Sequence, residues 1–566
     1  MRFPRSLFVA LLLLWPSFFR LTPAAFASAY NARPKLIVVI VIDQFRGDYL
    51  ERYRDRFGDG GFRLFIDRGA YFTDCNYDYA NASTAPGHAT LFTGSYTGGH
   101  GIIANEWWDP QKKKRVTSVE DDTTKLIGVE RSNPAQAELG RGTPGASPHN
   151  LLSDTLGDEL KLATGGKARV FALSLKDRAA VLPAGFSGDA AYWIDPKSGD
   201  WITSTYYRPD LPEWVRNFNG SHRAEKFWNR EWQDKDGDGK ILGSTAARNG
   251  KDGTPASFYE VVGSTPFAND YQLEFAKELV LYEKLGAGSA TDLLMIGLSA
   301  NDILGHQVGP DSPQTRSMAL ELDRSLAAFF DFLGHQIGMA DVWMALSADH
   351  GVAPLPEFAK TLRLPAANLD VKALREQINS LLSKKYAKKA DYVVDLDYPV
   401  AWLNEDAFAG ISLEHKESED EADVGEAMKQ AGFAGYFTKS QLARGETPAT
   451  EIGRRYAHSY SPEGGWYVIG IPTPFRVGST TGTDHGTPFS YDTHVPLAFY
   501  GLAFQPGIYR THAEPVDLAV TLASLLGINA PAQATGRVLT EALPPAAHHP
   551  TASSAMPAAT LPGGTQ

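Results

Sequence analysis

Four continuous runs of apolar residues stand out along the chain, and each is followed directly by polar side chains. Apolar runs without alternation are typical of strands that are buried on both faces of a parallel sheet. The four predicted strands are Leu36–Ile42, Arg169–Leu173, Asp292–Leu298 and Val342–Leu346. We therefore expect a central, mostly parallel sheet whose strands end at residues that could bind metal ions or take part in catalysis.

Segments with the period of an amphipathic helix lie between and after these runs. Residues 315–333 are followed by Gly334, and glycine is typical of the position after a helix end. Residues 515–526 begin with proline and are followed by Gly527, which is the arrangement expected at the two ends of a helix. Strands that alternate with helices predict an α/β sandwich in which helices flank the central sheet.

Two regions break this alternation. Residues 186–262 are rich in Trp, Asn, Gly and Asp, and residues 355–480 contain a long polar stretch with a run of acidic residues. We expect both to be inserted cap regions within one catalytic domain that covers residues 28–543. Residues 544–566 are rich in Pro, Ala, Ser and Gly, a composition typical of a disordered tail.

The N-terminal residues have the pattern of a secretory signal peptide. Arg2 and Arg5 form a positively charged start, an apolar stretch follows, and Ala25-Phe26-Ala27 is typical of a cleavage site. We expect removal of residues 1–27 and a periplasmic or secreted chain that is not attached to a membrane. The alternative is an uncleaved N-terminal anchor.

Composition narrows the choice of function mainly by exclusion. The 566-residue chain has a formal net charge of −12, and no basic stripe is interleaved with aromatic residues. Nucleic-acid binding is therefore not expected. Cys75 is the only cysteine, so no disulfide can form within the chain. No motif sets the oligomeric state, and we expect a monomer.

Carboxylates and imidazoles follow the predicted strands. Ligands of open α/β sheets bind outside the carboxyl ends of the strands, where such side chains would meet. Mixed oxygen and nitrogen ligation without cysteine suits zinc, and six ligands are enough for two open sites. The candidate ligands are Asp43, Asp302, His306, Asp349, His350 and His485. One Asp-His pair alone is more often a hydrogen-bonded pair in a loop, but that explanation fits several such fragments poorly.

Thr84 supplies a hydroxyl group on which metal ions could act. It lies just ahead of a predicted helix that has Pro86 in its first turn, and a helix N-terminus attracts anions. A threonine hydroxyl becomes a useful nucleophile when a metal ion promotes loss of its proton. The alternative is that Thr84 only caps the helix.

Seven motifs occur in the order found in the alkaline phosphatase superfamily. They are VIDQ, STAPGH, IIANEWWD, SLKDR, SANDILGH, SADHG and TDHGTPFSYDTHVP. Within the superfamily, the chain most resembles the PafA-like, phosphate-irrepressible alkaline phosphatases with a threonine nucleophile. The matching motifs extend from Asp43 to His494. This resemblance implies two zinc ions that are bridged by the phosphate of the substrate.

The resemblance also implies a role for each matching residue. Thr84 matches the residue that becomes phosphorylated. The matches to the ligands of one ion are Asp43, Thr84, Asp349 and His350, and those to the ligands of the other are Asp302, His306 and His485. The matches to the groups that hold the non-bridging phosphate oxygens are Asn105, Lys176 and Arg178.

Lys176 and Arg178 favour phosphate monoesters as substrates. A monoester dianion presents three non-bridging oxygens to cations, whereas one of these oxygens is esterified in a diester. Related diesterases generally lack this Lys-x-Arg pair, and the sulfatase signature has an arginine that is missing at Gly87-His88. We predict an exported two-zinc phosphomonoesterase acting on small phosphate monoesters. A phosphodiesterase or nucleotide pyrophosphatase is the main alternative, and a non-catalytic binding protein is a more remote one.

The segment Asp234-Lys-Asp-Gly-Asp-Gly239 resembles the start of a calcium-binding loop. Position twelve of such a loop would be Thr245 rather than glutamate. An accessory calcium or magnesium ion at this loop is expected only if the site tolerates this departure from the pattern.

Four other polar residues are expected to have supporting roles. His88 and His100 are expected to stabilise local loops, and Asp484 is expected to orient the imidazole of His485. His494 is expected to lie outside the metal site, because the resemblance places the ligand at His485.

Overall fold

The computed structural model describes residues 33–129, 144–249, 255–409, 411 and 416–544. The predicted signal peptide, and all but the first residue of the predicted disordered tail, lie outside these residues. No helix within the described ranges is long and apolar enough to cross a membrane.

The described residues form β-strands and α-helices that alternate along much of the chain. The strands are β1 Leu36–Ile42, β2 Ala70–Asn76, β3 Glu106–Asp109, β4 Lys114–Thr117, β5 Glu120–Ile127, β6 Pro144–Ala146, β7 Val170–Ser174, β8 Ala190–Ile194, β9 Trp201–Ser204, β10 Glu231–Gln233, β11 Ile241–Ser244, β12 Asp292–Leu298, β13 Val342–Ser347, β14 Ala367–Asn368, β15 Val393–Asp397, β16 Val400–Leu403, β17 Gly435–Thr438, β18 Tyr467–Ile471, β19 Arg476–Val477, β20 His494–Tyr500 and β21 Gly507–Tyr509.

Helices of very different length connect these strands. The α-helices are α1 Tyr49–Arg52, α2 Phe62–Arg68, α3 Thr84–Thr93, α4 Thr97–His100, α5 Leu156–Ala163, α6 Arg178–Ala184, α7 Glu213–Gly220, α8 Phe258–Val261, α9 Pro266–Tyr282, α10 Ala300–Val308, α11 Pro313–Gln336, α12 Pro356–Thr361, α13 Val371–Lys385, α14 Glu405–Phe408, α15 Glu417–Gln430, α16 Lys439–Ala443, α17 Glu451–His458, α18 Ser490–Thr493 and α19 Asp517–Leu526.

One large sheet forms the centre of the fold. Its eleven strands have the order β21-β2-β20-β13-β1-β12-β7-β8-β9-β5-β6. The five strands from β13 to β8 are parallel to one another, whereas β20 pairs antiparallel with β13 and β9 pairs antiparallel with β8. Every residue of β1 is buried, as its continuous apolar run predicts. The predicted α/β sandwich with a parallel central sheet is confirmed.

The carboxyl ends of these parallel strands bring distant residues together. Asp43 follows β1, the SAND motif follows β12, and the SADH motif overlaps the end of β13 and continues beyond it. Because β1 lies between β12 and β13 and runs in the same direction, the three segments meet at one edge of the sheet.

Two predicted helix ends differ from the structure. The long helix α11 continues past Gly334 and ends at Gln336. Its terminating glycine is Gly338, which has a φ of 94° and donates its N–H to Leu333 O at 3.3 Å. The last helix begins at Asp517, so Pro515 lies before it and not in its first turn.

The two expected cap regions fold differently. Residues 186–262 contribute β8 and β9 to the large sheet and also form the β10–β11 hairpin. Residues 355–480 contain a separate four-stranded antiparallel sheet with the order β15-β16-β18-β17. Helices α13 and α15 pack on this small sheet, and side chains such as Ile378, Val424 and Val468 form its own hydrophobic core.

Candidate active site

Two groups of possible metal ligands meet at the carboxyl edge of the sheet. The inner cluster consists of Asp43, Asp302 and His350, and the outer cluster consists of Asp302, His306 and His485. Within each cluster, one ligand atom from every residue lies within 4.8 Å of the others. Asp302 belongs to both clusters, so the structure places two potential ion sites side by side.

The three histidines are oriented in the same way. The Nδ1 atoms of His350, His306 and His485 lie 2.8, 3.0 and 2.9 Å from the backbone carbonyls of Gly351, Thr483 and Ala82. Because a carbonyl oxygen can only accept, each Nδ1 carries a proton, and Nε2 is the ring nitrogen that remains for a metal ion. The Nε2 atoms face the carboxylates of the clusters, an arrangement typical of metal-binding histidines.

Asp349 lies beside the inner cluster. One of its carboxylate oxygens, Oδ2, is 3.6 Å from His350 Nε2 and 3.4 Å from His88 Nδ1. The other, Oδ1, accepts a hydrogen bond of 3.1 Å from the backbone N–H of Gln44. Asp349 is therefore in position to join the inner set of ligands.

Several buried polar atoms of the inner site make no hydrogen bond. They are both carboxylate oxygens of Asp43, Oδ2 of Asp349 and Nε2 of His350, although Asp43 Oδ2 also forms an ion pair with Lys176. Buried polar atoms are normally satisfied, so this convergence of carboxylate and imidazole groups fits a bound cation. Oxygen and imidazole donors of this kind suit a divalent ion such as zinc, and the residues therefore fit two neighbouring metal ions.

Lys176 places a positive charge between the carboxylates. Its Nζ atom is 2.5 Å from Asp43 Oδ2 and 2.6 Å from Asp302 Oδ2, and only 5% of the residue is exposed. Burial opposes the charge, but the carboxylates of Asp302 and Asp43 hold the pKa of Lys176 above its ordinary value. The ammonium group is therefore a permanent cation at the centre of the site.

Thr84 lies next to this lysine. It is the first residue of α3, after the N-cap Ser83, so it lies within the first helical turn and not ahead of it. Its Oγ1 is 3.4 Å from Lys176 Nζ. A Cβ at Gly87 would lie 2.3 Å from Asp349 O, which explains why glycine is needed for this helix to approach the site.

Asn105 and Arg178 border the same region. Asn105 Oδ1 accepts a hydrogen bond of 2.8 Å from Ala85 N, in the residue after Thr84. Arg178 starts helix α6, and its buried Nε makes no hydrogen bond. Burial opposes its charge, whereas Asp177 and the carboxylates of Asp43 and Asp302 raise the pKa of Arg178 above its ordinary value.

Two supporting predictions need revision. The carbonyl of Ala82, and not Asp484, orients the imidazole of His485. Asp484 instead accepts a hydrogen bond from His485 N and lies 3.8 Å from His306 Nδ1. His88 does more than stabilise a loop, because its Nδ1 lies near the Asp349 carboxylate as well as Thr84 O.

The other two histidines agree with the sequence-based expectation. His100 accepts a hydrogen bond from Ile102 N and lies 3.1 Å from Thr90 Oγ1, so it stabilises its own loop. His494 Nε2 lies 3.0 Å from Thr73 O, away from both clusters.

The segment at residues 234–239 that resembles a calcium-binding loop does not form a cation site. Asp234 contacts Arg316, Asp236 contacts Arg324 at 2.6 Å, and Asp238 contacts Lys240. Each carboxylate is thus paired with a side-chain cation instead of converging with the other two. Thr245, at position twelve, is buried and donates to Phe227 O at 2.5 Å. The structure does not support an accessory calcium ion at this loop.

Comparison with known proteins places this geometry in a family. The model of the type I phosphodiesterase/nucleotide pyrophosphatase family matches residues 37–445. Alkaline phosphatase PhoV of Synechococcus elongatus is 32% identical over 530 residues, which cover 90% of this chain and 93% of PhoV. Alkaline phosphatase PafA of Elizabethkingia meningoseptica is 32% identical over 536 residues, or 90% of this chain and 95% of PafA. The chain belongs to the type I phosphodiesterase/nucleotide pyrophosphatase family, and its relatives PhoV and PafA are alkaline phosphatases.

The solved structure of PafA supports the same assignment. Wild-type PafA superimposes with a TM-score of 0.80 and 30% sequence identity, covering 90% of this chain and 99% of PafA. A second PafA structure, with a TM-score of 0.80, carries substitutions at one threonine, one asparagine, one lysine and one arginine. The predicted family and fold are confirmed, and the chain is a phosphatase.

Proposed function

We propose that this phosphatase is an exported two-zinc phosphomonoesterase that acts through a phosphorylated Thr84. The observation that carries the proposal is the pair of clusters that share Asp302 next to Thr84 and Lys176. Phosphoryl transfer depends on positioning and on stabilisation of negative charge, and this site offers both.

The metal ligands follow from the same arrangement. Asp43, Asp349, His350 and Thr84 would hold one ion, and Asp302, His306 and His485 would hold the other. When bound, the ions would lower the pKa of the attacking hydroxyl and neutralise charge on the departing oxygen. The imidazoles are ready for this role, because backbone carbonyls already hold their Nδ1 protons.

The remaining residues bind and orient the phosphate. Lys176 and Arg178 place two cations beside its non-bridging oxygens, and Asn105 has an NH₂ group to donate while its Oδ1 is held by Ala85 N. Thr84 Oγ1 attacks phosphorus, the P–O bond to the alcohol breaks, and the phosphoryl group moves to Thr84. Water then cleaves the new ester and releases inorganic phosphate.

Replacement of Thr84 tests the nucleophile. Thr84→Ala is expected to lower turnover of p-nitrophenyl phosphate by about 10³-fold or more, because no covalent intermediate can form. Thr84→Ser is the matched control, since it keeps a hydroxyl at the same position and should retain measurable turnover. Metal analysis should find zinc in both variants, and near-normal turnover of Thr84→Ala would disprove the assignment.

The main competing function is a phosphodiesterase or nucleotide pyrophosphatase, which the matching family model also describes. Comparison of kcat/KM for p-nitrophenyl phosphate and bis-p-nitrophenyl phosphate separates the two. We expect a strong monoester preference that falls in Arg178→Ala, because the guanidinium meets an oxygen that is esterified in the diester. A diester preference in the unmodified enzyme would favour the competing function.

Export and assembly are part of the same proposal. We propose that residues 1–27 are a cleaved signal peptide, that the catalytic domain covers residues 28–543, and that the mature enzyme is a periplasmic or secreted monomer. N-terminal sequencing of the exported protein and light scattering after gel filtration test these points. A mature chain that begins at Met1, or a stable dimer, would contradict them.

A further inference from the structure

Gln44 contacts both halves of the candidate metal site, although the VIDQ motif that it ends gave it no role. Its side-chain Nε2 donates a hydrogen bond of 2.7 Å to Asp302 Oδ1. Its backbone N–H donates to Asp349 Oδ1 at 3.1 Å. The residue is 1% exposed, so both bonds are shielded from water.

The backbone of Gln44 has a conformation that residues with a side chain seldom adopt. Its φ is 62°, a left-handed conformation that favours glycine and is uncommon for other residues. Glutamine at such a position costs stability, and residues of this kind cluster at functional sites. Asn301 Nδ2 stabilises the turn by donating to the carbonyls of Asp43 and Gln44, at 3.0 Å each.

Helix α10 is shaped to accept the same side chain. A Cβ at Gly305 would lie only 1.9 Å from Gln44 Oε1. Gly305 precedes His306, a member of the outer cluster, and Asp302 lies one turn earlier on the same helix. The carboxamide therefore lies against the helix that carries two of the three outer ligands.

We propose that Gln44 is a positioning residue that holds the Asp302 carboxylate in the orientation needed by the outer ion. This inference rests on the proposed two-metal function. Asp302 Oδ2 is 2.6 Å from Lys176, whereas Oδ1 faces His306 Nε2 at 3.2 Å. The hydrogen bond from Gln44 keeps Oδ1 on the histidine side. The inner ion depends on Gln44 only through the backbone N–H to Asp349, which side-chain substitution leaves in place.

Two substitutions remove the side-chain hydrogen-bond donor of Gln44 in different ways. Gln44→Gly relieves the left-handed backbone, and Gln44→Met retains the length of the side chain. Full-length enzyme loaded with zinc is titrated with a chromophoric chelator, and the release of the two ions is followed. Both variants are expected to bind the outer ion about 10–100-fold more weakly, the range typical for loss of a hydrogen bond to a metal ligand. The inner ion should be released as in the unmodified enzyme.

Reference variants identify the ion and exclude general damage. His306→Ala marks the release step of the outer ion. Gly305→Ala should also weaken binding of the outer ion, because the Cβ of the new alanine would displace the carboxamide of Gln44. Gln307→Ala is the matched control, since this exposed glutamine donates only to Ile303 O in its own helix, and it should leave both steps unchanged.

Unchanged release of both ions in Gln44→Gly and Gln44→Met would overturn the inference. Equal weakening of both ions, together with a lower Tm of the metal-free protein, would also overturn it, because that result indicates a purely structural role. If the unmodified enzyme fails to bind two ions, the proposed two-metal function fails instead, and the two failures are thereby distinguished.

Discussion

The inner and outer clusters share Asp302 but differ in their access to solvent. The side chains of Asp43 and His350 in the inner cluster are at most 1% exposed, whereas the side chain of His306 in the outer cluster is 36% exposed. The unpaired buried acceptors also lie in and beside the inner cluster. The difference suits a division of labour in which the inner site activates Thr84 and the outer site meets the leaving group and water.

Loss of the shared carboxylate should have the largest effect. Asp302→Asn is expected to lower kcat/KM for a phosphate monoester by about 10³-fold or more, because the outer ion loses a charged ligand and Lys176 loses one of its two carboxylate partners. Metal analysis should find fewer than two ions per chain. Asp311→Asn is the control, since Asp311 pairs with Arg52 near the surface. Normal activity with two bound ions in Asp302→Asn would refute the assignment of Asp302 to the outer ion.

The outer ion should be removable without loss of the inner ion. His306→Ala is expected to leave one zinc per chain and to lower turnover by about 10²–10³-fold, the equivalent of several kcal/mol of charge stabilisation. His350→Ala should instead deplete the inner ion. If either variant loses both ions together under mild chelation, the two clusters are not independent sites.

The two clusters should differ in the pKa of the histidine that loses a proton when a metal ion binds. Burial disfavours protonation, but Asp302 raises the pKa of His306 to about 10, and Asp349 likewise raises the pKa of His350 to about 9. Burial and the neighbouring histidines hold the pKa of His485 well below its ordinary value. In the metal-free protein at pH 7, His306 and His350 are therefore protonated, and His485 is neutral.

Each ion should consequently displace one proton at pH 7. Apparent affinity is expected to rise by about tenfold per pH unit for each ion until the pH reaches the pKa of the histidine that it displaces. The inner ion should level off at about pH 9 and the outer ion at about pH 10. Calorimetric titration with zinc in buffers of different ionisation enthalpy measures the protons released. Binding without proton release would contradict these pKa shifts.

The smallest effect is expected away from both clusters. Asp236→Asn removes an ion pair with Arg324 in the calcium-like loop, and both side chains are partly exposed. Such pairs contribute at most about 1 kcal/mol, so Tm should change little and kcat/KM should not change. Added calcium should not raise the Tm of the unmodified enzyme. A clear calcium-dependent rise would show that this loop is a third metal site.

The strands and most ligand residues could be predicted because their signals are local. Four apolar runs identified the central strands, and β1 and β12 have the predicted bounds. One predicted helix end was wrong, since α11 continues through Gly334 to Gln336. Packing against neighbouring elements decides whether a glycine ends a helix, and a short stretch of sequence does not contain that information.

Three features of the site had no local signal. Gln44 belongs to the VIDQ motif, but nothing in the motif predicts its contacts with Asp302 and Asp349, hundreds of residues away. The carbonyl that orients His485 belongs to Ala82, and backbone carbonyls are identical in every residue. The calcium-like motif has the expected spacing, yet cations from a distant helix neutralise its carboxylates.

The sequence by itself determined the parallel sheet and the identity of the polar residues at its strand ends, because burial period and residue chemistry are properties of short segments. Only the tertiary structure decided which carboxylate both clusters share, which side of Asp302 faces the histidines, and which cations neutralise the loop at 234–239. These choices depend on distances of a few ångströms between segments far apart in the chain, and the packing of the sheet with its helices sets those distances.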